Sequence, residues 1–178
     1  MEKSFFIRKM KASQGETVQY QLSDIPLNEL LGKSITLKTS GLIQCINCER
    51  DIKKTFFDGY CYPCFQKLAC CDMCILKPEL CHYSKGTCRE PEWAKNHCLV
   101  KHAVYLSNTT GPKVGITRDF QKFTRWIDQG ATESIVLAEV PERFVSGKLE
   151  VILSREVGDK TDWRALILGK KVDSDLIA

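Results

Sequence analysis

The sequence predicts an α+β protein with three consecutive parts: a small β-rich N-terminal segment over residues 1–44, a cysteine-rich metal-binding module over 45–102, and an α/β domain over 103–178. Three observations indicate this organisation. All ten cysteines of the 178-residue chain lie between Cys45 and Cys98. Polar and apolar residues alternate before that region, and strand-like runs alternate with helix-like runs after it.

The N-terminal segment is predicted to form short strands. Val18, Tyr20 and Leu22 alternate with polar residues, which is the period of a half-buried strand. Ile35–Leu37 and Leu42–Ile43 are expected to form two further strands, joined by a turn that contains glycine. No residue pattern in this segment points to a chemical function.

The first cysteine group predicts a zinc site. Cys45 and Cys48 form one CxxC pair, Cys61 and Cys64 form another, and twelve residues separate the two pairs. Each pair is expected to present two thiolates on one tight turn, and two pairs complete a tetrahedral shell of four sulfurs. A thioredoxin-type redox motif is a single CxxC at the start of a helix after a strand, and neither pair here is expected to be placed in that way. The two pairs therefore favour a structural, zinc-ribbon-like module.

The remaining cysteines predict a second metal site with more candidate ligands than one ion needs. The first-choice ligands are Cys71, Cys74, Cys88 and Cys98, and the next candidates are Cys81 and His102. His82 is a further candidate with His97 nearby in sequence, and Cys70 is the first choice for a spare thiol. Cys98 and His102 are expected to meet on one helical turn because they stand at i and i+4. Some of these thiols are ordinary buried groups, or the region holds more than one metal. Zinc is the expected metal, and an iron–sulfur cluster is the alternative, since four cysteines suit both.

The third part predicts a small α/β domain in the order strand, strand, helix, strand, helix, helix. Its elements are a hairpin of 103–106 with 113–116, a helix over Phe120 to Gln129, a strand over Ser134 to Ala138, a helix over Phe144 to Val157, and a last helix capped by Thr161. The helix over 144–157 is expected to bury one apolar side that carries Val145, Leu149, Ile152 and Leu153.

Within roughly residues 100–157 the third part resembles the GIY-YIG nuclease domain. The matching residues are Val104-Tyr105-Leu106, Lys113-Val114-Gly115-Ile116-Thr117, Arg125 and Glu150, in this order. The whole chain also resembles an uncharacterised bacterial family that joins a cysteine-rich metal module to such a domain. The resemblance implies that Tyr105 and Lys113 face the reacting phosphate, that Arg125 binds it, and that Glu150 holds a divalent cation such as Mg²⁺.

The resemblance leaves three functions open. Lys113 stands where the family has its second tyrosine, and this departure favours nucleic-acid binding without cleavage. The first alternative is a Mg²⁺-dependent endonuclease that uses Tyr105, Arg125 and Glu150. The second is a non-catalytic protein-interaction scaffold, in which all metals are structural and neither DNA nor RNA is bound.

Charge and hydropathy limit the partners that the protein can have. The formal net charge is +4, but residues 103–178 carry eleven basic and eleven acidic side chains. Any nucleic-acid site is therefore expected to depend on a local arrangement of cations. No apolar run approaches the roughly 18 residues of a membrane span, and the N-terminus lacks the pattern of a secretory signal, so we expect a cytoplasmic protein.

Overall fold

The computed structural model describes residues 3–170, 172–173 and 176–177, and it has the mixed α+β fold that the sequence predicts. The chain divides into two compact units, Met1–Asp72 and Met73–Ala178. The predicted division into three parts stays a prediction. Among the described residues, no helix has the length and apolar character needed to cross a membrane.

The first unit is built from short strands and one short helix. Its described elements are β1 (Lys11–Ser13), β2 (Gln19–Leu22), β3 (Ile25–Pro26), β4 (Ile43–Gln44), β5 (Asp51–Ile52) and α1 (Tyr62–Lys67). Strands β1, β2 and β3 form an antiparallel sheet in that order, and β4 pairs with β5. The predicted strand over Ile35–Leu37 is wrong, because this segment is irregular and both apolar ends are exposed. A short apolar run forms a strand only when another strand pairs with it.

The second unit contains the predicted hairpin–helix–strand–helix order. Its described elements are α2 (Met73–Leu76), α3 (Pro91–His97), β6 (His102–Asn108), β7 (Pro112–Arg118), α4 (Lys122–Asp128), β8 (Glu133–Val140), α5 (Arg143–Val157) and α6 (Trp163–Ile167). The sheet is antiparallel with the strand order β7-β6-β8. Strand β6 is central, and Ala103, Val104 and Tyr105 on it are fully buried.

The register of this sheet decides which side chains share a face. Tyr105 on β6 stands opposite Gly115 on β7, and Ser107 stands opposite Lys113. On the other side of β6, Ser107 pairs with Ser134 of β8. Directly paired residues of an antiparallel sheet point to the same face, and so do residues two apart on one strand. The tyrosine, the lysine and both serines therefore lie on one face of the sheet.

Helix α5 packs through small residues, which differs from the predicted apolar stripe. Ile152 of that stripe is 57% exposed, whereas Ser146 and Gly147 are buried. A Cβ at position 147 would lie 2.5 Å from Cβ of Pro78, so only glycine permits this close approach. Hydropathy periodicity does not detect a contact that depends on the lack of a side chain.

Helix α6 is capped by the residue after the predicted one. The carboxylate of Asp162 accepts hydrogen bonds from the backbone N–H groups of Arg164 and Ala165 at 3.0 and 3.2 Å. Thr161 instead lies with its hydroxyl 3.0 Å from that of Thr109. Aspartate and threonine both cap helices well, so composition alone could not choose between two adjacent candidates.

Replacing Gly115 by alanine is expected to destabilise the second unit. A Cβ at this position would lie 2.6 Å from the hydroxyl oxygen and 2.7 Å from Cζ of Tyr105, a buried ring that has little room to move. Overpacking of this kind costs about 1–3 kcal/mol of unfolding free energy. Chemical denaturation of the wild type and the variant measures the loss.

A double-mutant cycle tests the cause of that loss. In a Tyr105→Leu background the ring is gone, so Gly115→Ala should lose most of its cost. Full additivity of the two substitutions would contradict the steric explanation.

Candidate metal centre and sheet-face cluster

Four cysteines of the first unit lie at metal-binding distance. The sulfur atoms of Cys45, Cys48, Cys61 and Cys64, here called the tetrathiol cluster, all lie within 4.8 Å of one another. The sulfurs of Cys48 and Cys61 are 3.7 Å apart. A tetrahedral zinc ion with Zn–S bonds of about 2.3 Å separates its sulfur ligands by about 3.8 Å. The predicted group of four cysteines is therefore confirmed as a set of thiols that could hold an ion such as zinc.

The first pair of the tetrathiol cluster is placed by the β4–β5 hairpin. The backbone N–H of Cys45 donates to the carbonyl of Arg50 at 3.0 Å, and the N–H of Glu49 donates to the carbonyl of Cys45 at 3.0 Å. Glu49 has a φ of 57°, the left-handed conformation that closes the turn. The hairpin therefore folds the CxxC segment back on itself, with Cys45 buried and Cys48 exposed.

The second pair stands at the start of a helix, so the expectation that neither pair does is wrong for Cys61 and Cys64. Cys61 precedes α1, and its carbonyl accepts the N–H of Phe65 at 2.9 Å. Pro63 suits the first turn of a helix because it needs no backbone donor there. The carbonyl of Gly59 accepts the N–H of Ile46 at 3.1 Å, and this bond ties the two CxxC segments together.

Hydrogen bonds to sulfur favour the thiolate form of one cysteine in the tetrathiol cluster. Burial raises the pKa of the Cys45 thiol, but backbone N–H groups of Cys48, Cys61 and Asn47 outweigh burial and lower it to about 6. Burial and the neighbouring thiols raise the pKa of Cys64 to about 12, although the Asn47 amide opposes them. The thiolate of Cys45 therefore forms readily, whereas Cys64 is hard to ionise beside the other thiols. A bound divalent cation would stabilise all four thiolates, because its charge offsets the repulsion between them.

The first-choice ligands of the second metal site are divided between the two units, with Cys71 in the first and Cys74, Cys88 and Cys98 in the second. Among the described residues of the second unit, these three thiols do not all lie within 4.8 Å of one another. The predicted helical turn of Cys98 and His102 is wrong, because α3 ends at His97 and His102 begins β6. A second metal at these residues stays a prediction.

Some of these candidate groups lie near one another, and others contact aromatic side chains. Burial raises the pKa of Cys98; Arg143 opposes this, and the nearby thiols of Cys81 and Cys88 add to it. The sulfur of Cys74 and a ring nitrogen of His82 lie within 4.8 Å of each other. Cys70 donates its S–H to the hydroxyl of Tyr60 at 3.3 Å. His97 stacks on Trp93 with ring centroids 4.0 Å apart.

The four residues of the family resemblance lie on four elements of the second unit. They are Tyr105 on β6, Lys113 on β7, Arg125 on α4 and Glu150 on α5, here called the sheet-face cluster. Tyr105 and Lys113 are buried, Glu150 is half-buried, and Arg125 is exposed. Arg125 and Glu150 interact electrostatically with each other and with both Tyr105 and Lys113.

Gln129 connects two members of the sheet-face cluster. In the amide orientation that satisfies both neighbours, its side-chain nitrogen donates to the Tyr105 hydroxyl at 2.8 Å, and its oxygen accepts from Nη2 and Nε of Arg125, each at 3.2 Å. The ring of Trp126 packs edge-on against Tyr105 with centroids 5.8 Å apart. These contacts fix the phenol and orient the guanidinium at the end of α4.

Burial dominates the electrostatics of the sheet-face cluster. It raises the pKa of Tyr105, and Arg125 opposes that effect. It lowers the pKa of Lys113, in the same direction as the neighbouring Arg125. Burial and then Asp159 raise the pKa of Glu150, whereas nearby cations lower it. Asp159 follows the end of α5, and no motif in the sequence pointed to it.

A family model described as "Protein of unknown function (DUF2797)" matches residues 32–178. The matched range includes both the tetrathiol cluster and the sheet-face cluster. No curated protein and no solved structure matches the chain.

Replacing Cys48 by serine is expected to release about one equivalent of zinc from the purified protein. A shell of three thiolates binds zinc more weakly, and metal binding is coupled to folding in small metal modules. Zinc content measured by mass spectrometry, together with thermal unfolding, reports the loss.

Cys70→Ser is the matched control, because Cys70 lies in the same unit and its sulfur donates to a tyrosine. This variant should keep the full zinc content. Unchanged zinc stoichiometry in Cys48→Ser would falsify the assignment of the tetrathiol cluster.

Proposed function

The chain belongs to the DUF2797 family, and for it we propose a structural zinc module joined to a domain that binds nucleic acid without cleaving it. The observation that supports the proposal is that Tyr105 and Lys113 share one face of the sheet and both interact electrostatically with Arg125 and Glu150. Phosphate groups are bound by lysine as a point charge and by arginine through paired hydrogen bonds.

Local geometry supports phosphate binding more than the overall charge does. Residues 103–178 are formally neutral, so this part of the chain offers no broad basic field. Arg125 is exposed, and its guanidinium donates hydrogen bonds to the side-chain oxygen of Gln129. A pre-oriented arginine loses less conformational entropy when it binds a phosphate.

The resemblance to GIY-YIG nucleases supports nucleic acid as the ligand. The chain has the same order of hairpin, helix, strand and helix, and Tyr105 and Lys113, two of the matching residues, share one sheet face. Two features favour binding over cleavage. Lys113 replaces the second tyrosine, and burial raises the pKa of Tyr105, which makes its hydroxyl a poor general base near neutral pH.

A structural role for zinc follows from the closed set of ligands. Four cysteines complete a tetrahedral shell and leave no open position for a substrate. All ten cysteines are free thiols, which is consistent with the reducing cytoplasm that we propose as the compartment. An iron–sulfur cluster at the remaining cysteines would show as broad visible absorbance of anaerobically purified protein.

One observation favours the endonuclease as a second candidate function. Glu150 is half-buried with Asp159 as an electrostatic neighbour, and two carboxylates suit a hard divalent cation such as Mg²⁺. When bound, Mg²⁺ would neutralise charge that develops on phosphate oxygens. Tyr105 and Arg125 would then orient the phosphate beside the cation.

Arg125→Ala is expected to weaken binding of a fluorescently labelled oligonucleotide by about 1–3 kcal/mol, the range for a hydrogen bond to a charged group. Fluorescence anisotropy at low salt measures the affinity for single-stranded and duplex DNA and RNA. Arg155→Ala is the matched control, because Arg155 is an exposed arginine elsewhere in the same unit. It should change the affinity little.

The other outcomes separate the remaining functions. Mg²⁺-dependent cutting that disappears in Glu150→Gln would overturn binding without cleavage and establish the endonuclease. Negligible binding by the wild type and the Arg125 variant alike would leave the protein-interaction scaffold.

A further inference from the structure

Two phenylalanines near the sheet-face cluster have much of their surface in water. Phe120 lies between β7 and α4 and is 70% exposed, and Phe123 on α4 is 49% exposed. An apolar side chain stabilises a fold in proportion to the area that it buries, so the Phe120 ring adds little to the core. Large apolar side chains that are exposed close together indicate a surface that binds a partner. These two rings are here called the aromatic patch.

Ring contacts connect the aromatic patch to the buried tyrosine. Phe123 packs edge-on against Trp126 with ring centroids 5.4 Å apart, and Trp126 packs edge-on against Tyr105 at 5.8 Å. Arg125 lies on the same helix, between Phe123 and Trp126 in sequence. The patch therefore adjoins the arginine that we propose as the phosphate contact.

The charges beside the aromatic patch favour an anionic partner. The guanidinium of Arg118 lies 5.7 Å from the centroid of the Phe120 ring, within the range of a cation–π interaction. Asp119 is the neighbouring acidic residue, and its carboxylate is paired with the ammonium of Lys122 at 2.7 Å. The negative charge next to the rings is thus offset, whereas arginines at positions 118 and 125 stand on either side of them in sequence. A flat apolar surface accompanied by cations matches a nucleotide, which combines a flat base with an anionic phosphate.

We infer that the aromatic patch stacks unpaired bases of a single-stranded nucleic acid. This inference rests on the proposed function and names the class of nucleic acid that the domain prefers. Every base of a single strand has a π face that can lie on an aromatic ring, whereas the bases of a duplex are already stacked on one another. Arg125 would bind a phosphate while the patch binds bases of nearby nucleotides, so the two contacts recognise different parts of one strand.

The test compares a single strand with an abasic strand of the same length, which keeps every phosphate and lacks every base. In fluorescence anisotropy at low salt, the wild type is expected to bind the strand with bases about tenfold more tightly, the effect of stacking about one base. The double variant Phe120→Leu/Phe123→Leu keeps apolar side chains and loses both rings, so it should bind the two strands equally. Its melting temperature should stay close to that of the wild type, because both positions are exposed.

Matched variants separate stacking from other effects. Phe120→Tyr/Phe123→Tyr keeps both rings and should keep the preference for bases. Trp163→Leu removes a 58% exposed ring on α6 that has the Arg164 guanidinium 4.5 Å from its centroid, and it should keep the preference as well. Arg125→Ala should weaken the binding of both strands to the same degree, because the two strands carry the same phosphates.

The outcomes distinguish the aromatic patch from the proposed function. Equal affinity of the wild type for the two strands, a preference for bases that persists in the double leucine variant, or tighter binding of a duplex would overturn stacking and leave phosphate binding intact. If Arg125→Ala changes neither affinity while the leucine variant loses the preference, phosphate binding by Arg125 fails and stacking stands. If no strand binds, both fail.

Discussion

The pairing register of β6 with β7 is the constraint on which the candidate site depends. A slip of one residue would turn every side chain of a strand to the opposite face. Tyr105 stands against Gly115 so closely that no other residue fits there without a shift, and this contact favours a single register. The same register places Lys113 beside Ser107, and it presents the tyrosine to Arg125, Gln129 and Glu150. Packing in the core thus determines which side chains the candidate site brings near one another.

The first unit depends on a different source of stability. Among its described residues, the buried ones are two members of the tetrathiol cluster, Ala69 and Cys71. Large apolar side chains such as Leu31 and Leu37 are exposed instead, at 78% and 76%. So small an apolar core provides little hydrophobic free energy, and binding of a metal ion by four thiolates can supply what is missing. The thiols that would hold the ion are thus also the centre of the unit's core.

Local patterns predicted the parts of the structure that depend on local spacing. The tetrathiol cluster follows from two CxxC pairs, and the order of β6, β7, α4, β8 and α5 follows from periodicity and turn residues. Features that depend on tertiary pairing escaped prediction. Lys113, Ser107 and Ser134 stand side by side only because three strands pair in register. Asp159 lies beyond the end of α5, and only the folded chain makes it an electrostatic neighbour of Glu150. The predicted helical turn at His102 is wrong because His102 is the first residue of strand β6.

The salt dependence of oligonucleotide binding tests the central claim most directly, because it counts the phosphate contacts made by cations. Two contacts, from Lys113 and Arg125, predict a slope of about −1.4 for the logarithm of affinity against the logarithm of salt concentration on single strands. Arg125→Ala should bring this slope to about −0.7. A slope that does not change in the variant, or no binding at the lowest salt concentration, would contradict phosphate recognition by the sheet-face cluster.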